Sequence, residues 1–141
     1  MTLAELPGWA LELLEREPVA RLAFRDGDGL PRVLPITFAL VDDGVWSAID
    51  DKPKASAEPA RVRWLRHRPE AALVVDVYDD DWTKLAWVQL LGRVEVLGVD
   101  DAPRALEALA AKYAPYRERQ PPGPLLRLGV TRALHWRAAG S

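Results

Sequence analysis

Arg32-Val33-Leu34-Pro35-Ile36-Thr37-Phe38-Ala39-Leu40-Val41 is a run of ten residues in which, from Val33 to Leu40, both alternating sets of side chains are apolar. A strand of that kind has both faces covered rather than one face in water. A barrel interior on one side and a partner subunit on the other would supply the cover. Asp26-Gly27-Asp28-Gly29 precedes the run and Asp42-Asp43-Gly44 follows it. These residues tolerate the positive φ that tight hairpin connections demand. Val19 to Arg25, the central run, and Val45 to Ile49 are therefore expected to form a meander of three strands.

Three further strands are expected at Ala71 to Tyr78, Trp87 to Leu97 and Leu125 to Arg137. Trp87 to Val96 sets Gln89, Arg93 and Glu95 against Val88, Leu90, Val94 and Val96, the alternation of a strand with one wet face. Helices are read at the N-terminus, in the middle and before the last strand. Thr2 to Arg16 carries Leu3, Leu6, Ala10, Leu11 and Leu14 at helical spacing, divided or bent at Pro7-Gly8. Glu58 to Arg68 is a basic helix that ends at Pro69, and a third begins at Asp100 or Asp101 and runs to about Tyr113. Leu106, Leu109, Ala110 and Tyr113 form its apolar stripe. No internal repeat or long linker divides the chain, and 141 residues with 49% apolar content suit one core, so residues 1–141 are read as a single domain.

Composition excludes several functions. With 19 basic and 21 acidic side chains and a formal charge of -2 there is no global basic field, so nucleic acid is not an expected partner and any anion site must be local. The absence of cysteine removes disulfides, thiolate nucleophiles and thiolate metal sites. His67 and His135 show no ligand spacing, and no metal is expected. Glu5, Glu12, Glu15 and Glu17 stand where a signal peptide or membrane span would need a cationic start and a long apolar run, which points to a soluble cytoplasmic protein without membrane contact.

The sharpest local feature is Ile49-Asp50-Asp51-Lys52-Pro53-Lys54. In an extended segment, two lysines two residues apart point to the same side, and Pro53 stiffens the backbone between them. Such a pair suits a phosphate, and Arg61 in the basic helix can add a planar fork to the same anion. The same spacing also fits solvated loop charges balanced by Asp50 and Asp51. Among the six tryptophans, Trp82 and Trp87 flank a hairpin after Asp79-Asp80-Asp81 and could wall a flat aromatic ligand or simply pack. Trp9, Trp46, Trp64 and Trp136 read as packing residues. The acidic run lacks the ligand pattern of a calcium loop and reads as a solvated turn. No serine or threonine has evident histidine and acid partners, so triad chemistry is not expected and no catalytic residue is singled out. No glycine-rich phosphate loop is present, so a phosphorylated cofactor would be held by side chains.

Ala20-Arg21-Leu22-Ala23, Asp28-Gly29-Leu30-Pro31-Arg32-Val33-Leu34-Pro35-Ile36, Asp51-Lys52-Pro53-Lys54 and Asp80-Asp81-Trp82-Thr83-Lys84-Leu85-Ala86-Trp87-Val88 occur in that order. Over nearly the whole chain, through His135-Trp136-Arg137, this resembles the pyridoxamine 5'-phosphate oxidase-like split β-barrel proteins, and within them the branch of coenzyme F420-dependent oxidoreductases. The resemblance implies a mostly β fold with flanking helices, a six-stranded split β-barrel, acting as a homodimer with two cofactor sites at its interface. It implies that Leu34, Pro35, Ile36 and Thr37 on one strand, and Ser47, Ala48, Ile49 and Asp50 on another, border the ring system and ribityl chain. Lys52, Lys54 and Arg61 would lie near the phosphate, and Trp82 and Trp87 would close the site from the other subunit.

Two departures bear on cofactor choice: Trp64 stands where that branch usually has asparagine, and Ala86-Trp87-Val88-Gln89 where it usually has Trp-Trp-Val-Arg. The implied activity is hydride transfer from reduced F420 to a small quinone, activated alkene or nitro compound. For such a reaction the protein need supply only binding, orientation and a screened pocket. The alternatives are an FMN-dependent oxidase or reductase on the same fold, and a non-catalytic flavin or F420 carrier or sensor.

Overall fold

The computed structural model describes residues 1–49 and 58–139. Seven strands form one sheet: β1 (Ala20–Arg25), β2 (Pro31–Ile36), β3 (Ala39–Val41), β4 (Gly44–Ala48), β5 (Glu70–Val77), β6 (Ala86–Leu97) and β7 (Leu125–Arg137). Their order in the sheet is β2-β1-β5-β6-β7-β4-β3, and each pairing is antiparallel. The two edges, β2 and β3, are neighbours in sequence. A chain that runs directly from one edge of a sheet to the other closes that sheet into a barrel.

The run expected as one strand from Arg32 to Val41 is thus two. Pairing stops at Thr37 and Phe38, where the chain turns from β1 as its partner to β4. Counted as one bent strand, β2 and β3 leave the six-stranded barrel; counted by hydrogen bonding, there are seven. The meander holds, because the first half pairs with the strand before it and the second half with the strand after it.

The turns follow their sequence signals. Asp26 bridges the β1–β2 connection, its Oδ1 accepting from the amides of Asp28 at 2.9 Å and Leu30 at 3.0 Å, while Gly29 takes φ +80. Those amide donors, with Arg32 beside the carboxylate, hold the Asp26 pKa below its ordinary value. On β6 and β7 the register shifts at Leu91/Gly92, where Thr131 is the extra residue between the partners Val130 and Arg132. A Cβ on Gly92 would lie 1.9 Å from the Gly129 carbonyl oxygen, so the close crossing that lets β7 pair with both β6 and β4 requires glycine there.

Two apolar clusters hold the barrel. The interior is filled from β1, β5, β6 and β7 by residues such as Leu22, Phe24, Leu73, Val75, Val88 and Leu90. Helix α1 (Gly8–Arg16) adds Ala10, Leu13 and Leu14, and α2 (Ala60–His67) adds Val62 and Leu65. As expected, the N-terminal helix is broken at Pro7-Gly8, with a 3-10 turn at Leu3–Glu5 before it. Outside the barrel, α3 (Pro103–Lys112) packs Ala105 and Leu109 against Ala39, Trp46 and Ala48. This explains why all five residues of β4 are buried. The outer cover of β3 and β4 is therefore a helix of the same chain, whereas a partner subunit was the cover expected for the run Val33 to Leu40, of which β3 holds the end. Among the described residues no helix covers β2 in this way, and Val33 remains 62% exposed. Trp136, expected to pack, is also exposed, at 45%.

A further short helix, α4 (Ala114–Glu118), follows α3 and was not expected. The α3–α4 junction secures the break between β2 and β3. The Phe38 amide donates to the Tyr113 hydroxyl at 2.9 Å, and that hydroxyl reaches the carbonyls of Pro18 at 2.8 Å and Phe38 at 3.0 Å. Beside it, Lys112 Nζ lies 3.6 Å from the centre of the buried Phe38 ring and donates to the Leu14 carbonyl at 3.1 Å. Burial pulls the Lys112 pKa down to about 8, against the opposing pull of Glu17 and Glu15.

Two outcomes follow. Tyr113→Phe leaves the buried Phe38 amide without this partner and lowers unfolding free energy by about 1–3 kcal/mol in urea titration. Between pH 8 and the ordinary lysine value of 10.5 the unfolded chain binds the Lys112 proton while the folded chain has lost it, so this group makes stability rise with pH over that window. Comparing denaturation midpoints at pH 8 and pH 10 should show a smaller rise in Lys112→Met than in the parent protein.

Candidate functional site

The end of β2, the end of β4 and the first turn of α2 meet around a pocket of about 220 Å³ lined by Val19, Pro35, Ile36, Thr37, Ala48 and Arg61. Each comes from a point where regular structure stops. Val19 precedes β1, Thr37 sits in the break that ends β2, and Ala48 is the last residue of β4. Arg61 is the second residue of α2. Of the six lining side chains only Arg61 is ionised at neutral pH, so the pocket wall is cationic and otherwise apolar apart from the Thr37 hydroxyl. That composition favours an anionic group attached to a flat apolar body.

Thr37 is the most constrained of these residues. Its carbonyl accepts from the Ser47 hydroxyl at 2.7 Å, and its own hydroxyl lies 2.8 Å from that of Tyr116. Tyr116 in turn stands edge-on to Tyr113, with ring centres 5.7 Å apart. Burial raises the Tyr113 pKa, opposed by its hydrogen bond to Phe38, so the phenol remains protonated and able to donate at neutral pH.

Five residues expected at the cofactor, Pro35, Ile36, Thr37, Ala48 and Arg61, are thus brought together. Leu34 is half-buried against the core, and Ser47 and Ile49 are buried, at 4% and 2% exposure. Ser47 reaches the pocket only through the Thr37 carbonyl. Asp50, Lys52 and Lys54 lie outside the described residues, whose flanking ends are Ile49 and Glu58. The Glu58 end is tethered: Arg66 makes two bonds to its carboxylate at 2.9 Å and 3.1 Å, and Arg63 donates to its carbonyl at 2.6 Å.

The two tryptophans are elsewhere in this chain. Trp87 lines a broader cleft of about 770 Å³ on the outer face of β1, β5 and β6, with Arg21, Val74, Asp76 and Gln89. Trp82 is 69% exposed on the 3-10 turn Trp82–Lys84, whose start is capped by Asp81. The cleft is the larger opening, and its lining includes both Arg21 and the carboxylate of Asp76. Among the described residues, the smaller pocket is lined by one arginine and otherwise by uncharged side chains.

Tyr113 and Tyr116 escaped sequence reading. Tyr113 was counted as part of an apolar stripe, which it is, and its hydroxyl is the polar end that a half-buried tyrosine must satisfy. Tyr116 lies in a helix too short for periodicity to show. Among the described residues no group of His, Asp and Glu could hold a metal ion, and no helix is long and apolar enough to cross a membrane.

A closed antiparallel barrel with this pocket at its seam accords with the family model of pyridoxamine 5'-phosphate oxidase, which matches residues 7–137. The chain belongs to the pyridoxamine 5'-phosphate oxidase family. Solved structures show the same fold at low identity. A conserved hypothetical protein from Mycobacterium tuberculosis superposes with TM-score 0.74 at 18% identity, over 97% of this chain and 85% of that one. An FAD-binding protein from Mesorhizobium loti gives 0.68 at 20% identity, over 92% and 94%. A candidate 5-nitroimidazole antibiotic resistance protein from Bacteroides thetaiotaomicron gives 0.69 at 14% identity, over 93% and 83%. No curated protein matches the sequence. The family and its split barrel, expected from the motifs, are thereby established.

Proposed function

We propose that this member of the pyridoxamine 5'-phosphate oxidase family is a cytoplasmic oxidoreductase that holds a phosphorylated flavin-type cofactor, coenzyme F420 before FMN, in a site completed by a second copy of the chain. The observation that carries this reading is the pocket in which Pro35, Ile36, Thr37 and Ala48 converge with Arg61 at the seam of the barrel. Its volume of about 220 Å³ falls below the roughly 300–1,000 Å³ of pockets that enclose a whole small ligand. A volume of that size is in keeping with a site completed by a second copy of the chain. In a homodimer the second wall would come from the partner, with Trp87 or Trp82 as the flat surface on which a ring system stacks.

Arg61, joined by Lys52 and Lys54, takes the phosphate in this reading. Pro35, Ile36 and Ala48 keep water from the ring edge. When bound in its reduced form, the deazaflavin supplies a hydride to an electrophilic acceptor such as a quinone, an activated alkene or a nitro compound. A flavin-type ligand is in keeping with the FAD-binding neighbour, and a nitro-type acceptor with the nitroimidazole-resistance neighbour. No acid or base on the protein is required for the hydride itself.

Parallel titration of purified protein with F420 and with FMN, read by tryptophan fluorescence, tests the assignment. Preferential F420 binding with quenching is expected, followed by acceptor reduction. Preference for FMN moves the protein to the flavin branch, binding without turnover of any acceptor identifies a carrier, and binding of neither overturns the proposal. Lys52→Ala with Lys54→Ala is expected to weaken cofactor binding about tenfold or more while the protein stays folded. Unchanged affinity in that double variant sinks the phosphate assignment.

A further inference from the structure

On the outer face of β1, β5 and β6 the strand register sets side chains in rows. Asp76, Trp87 and Trp136 stand opposite one another on β5, β6 and β7, and the row beside them holds Pro35, Arg21, Val74 and Gln89 on β2, β1, β5 and β6. Directly opposed residues of an antiparallel pair point to the same face. Ala23, Ala72 and Leu91 continue the apolar surface in a third row. The described helices are engaged elsewhere: α1 and α2 send their buried side chains into the barrel interior, and α3 packs on β3 and β4. Trp136 is left open, and the broad cleft of about 770 Å³ lies among Arg21, Val74, Asp76, Trp87 and Gln89.

Charge on this face is balanced at one end only. Arg25, Glu70 and Arg93 neutralise one another within the chain. Arg21 and Asp76, both exposed, lie on neighbouring strands, with Asp76 two residues beyond Val74, the residue opposite Arg21. Among the described residues, neither side chain makes an ion pair or a hydrogen bond. The cleft lining thus carries one unpaired cation and one unpaired anion, and its other members are uncharged. Such a surface is complementary to itself. A two-fold axis between the two charges sets each cation against the anion of a second copy, and does so twice. A partner of a single charge sign would satisfy one of them and repel the other. Tryptophan is also a side chain enriched at protein interfaces.

We infer that a second copy of this chain docks on the outer face of β1, β5 and β6, with Arg21 of each copy against Asp76 of the other. This inference rests on the reading above of a site completed by a second copy, and it names the face that completes it. Pro35 joins the two regions, since it lines the candidate pocket and stands opposite Arg21 in the register. Docking there sets the second copy at the border of the pocket and takes Trp87 and Trp136 out of water.

Charge reversal tests the pairing. In sedimentation equilibrium the parent protein is expected to be dimeric. Arg21→Asp or Asp76→Arg alone is expected to weaken the dimer about 100-fold or more, because each sets like charges face to face at both contacts. Mixed in equal amounts, the two variants are expected to regain a dimer of near-parental affinity, since each supplies the charge that the other lacks. Pairing of the two side chains within one chain gives no such rescue. The chain has no cysteine, so Arg21→Cys and Asp76→Cys provide a second measurement that does not depend on charge. Coexpressed, these two are expected to be joined by a short bis-maleimide several-fold more efficiently than either variant alone. Circular dichroism checks that each variant is folded. A monomeric parent overturns the inference, and so does a dimer in which mixing brings no rescue and positions 21 and 76 do not cross-link. Titration with F420 and FMN separates the two readings. A dimer rescued by mixing that binds neither cofactor upholds this face and defeats the cofactor reading, whereas a parent that binds a cofactor as a monomer defeats this inference alone.

Discussion

Phe38 presents a main-chain amide and carbonyl where strand pairing has stopped and water is excluded. Its side chain is fully buried, so both polar groups need partners inside the protein. The Tyr113 hydroxyl contacts both, and it also reaches the Pro18 carbonyl at the entry to β1. One oxygen thus joins the start of the first strand to the corner where the sheet closes. The remainder of the architecture depends on that corner. If the segment from Pro31 to Val41 paired along its whole length with β1, β4 would lose its outer neighbour and the sheet would remain open.

Closure at this point also makes the candidate site. A continuous ladder has no room for a ligand, because each main-chain group is occupied and side chains fill both faces. At the seam, pairing is interrupted over Thr37 and Phe38, β4 has reached its last residue, and α2 is starting. The pocket is the space that these three chain ends cannot fill among themselves. Arg61 reaches it because α2 is anchored on the barrel interior by Val62 and Leu65, the next position and the one a turn later. Burial of those two side chains fixes the helix rotation and with it the direction of its charged residue.

Charge contributes little to holding this frame. Glu70 bridges Arg25 and Arg93 on the outer face, and Arg127 bridges Asp43 and Glu95, but most of these side chains are well exposed. Pairs of that kind are worth about 0–1 kcal/mol each. Stability resides in the barrel interior and in the helices packed on it, leaving the outer face of β1, β5 and β6 available for its broad cleft. Val33 and Trp136 are apolar and open outside the barrel, so neither serves the fold of the single chain.

What the sequence determined by itself was local. Alternation, helical spacing and turn chemistry located every strand segment, the break at Pro7-Gly8, the basic helix and the apolar stripe of α3, because each signal is carried by residues within a few positions of one another. The ordered motifs further placed the chain in its family, and Pro35, Ile36, Thr37, Ala48 and Arg61 were named before any of them could be seen to touch. Tertiary structure alone decided that the central run bends into two strands, that α3 covers β3 and β4, and that Tyr113 and Tyr116 meet residues 75 and 79 positions away. It also buried Ser47 and Ile49 and placed Trp87 on a separate cleft. The reason is physical: an apolar residue records that it will be buried but not against what. A hydroxyl's partner is set by where the closed barrel brings distant chain ends together.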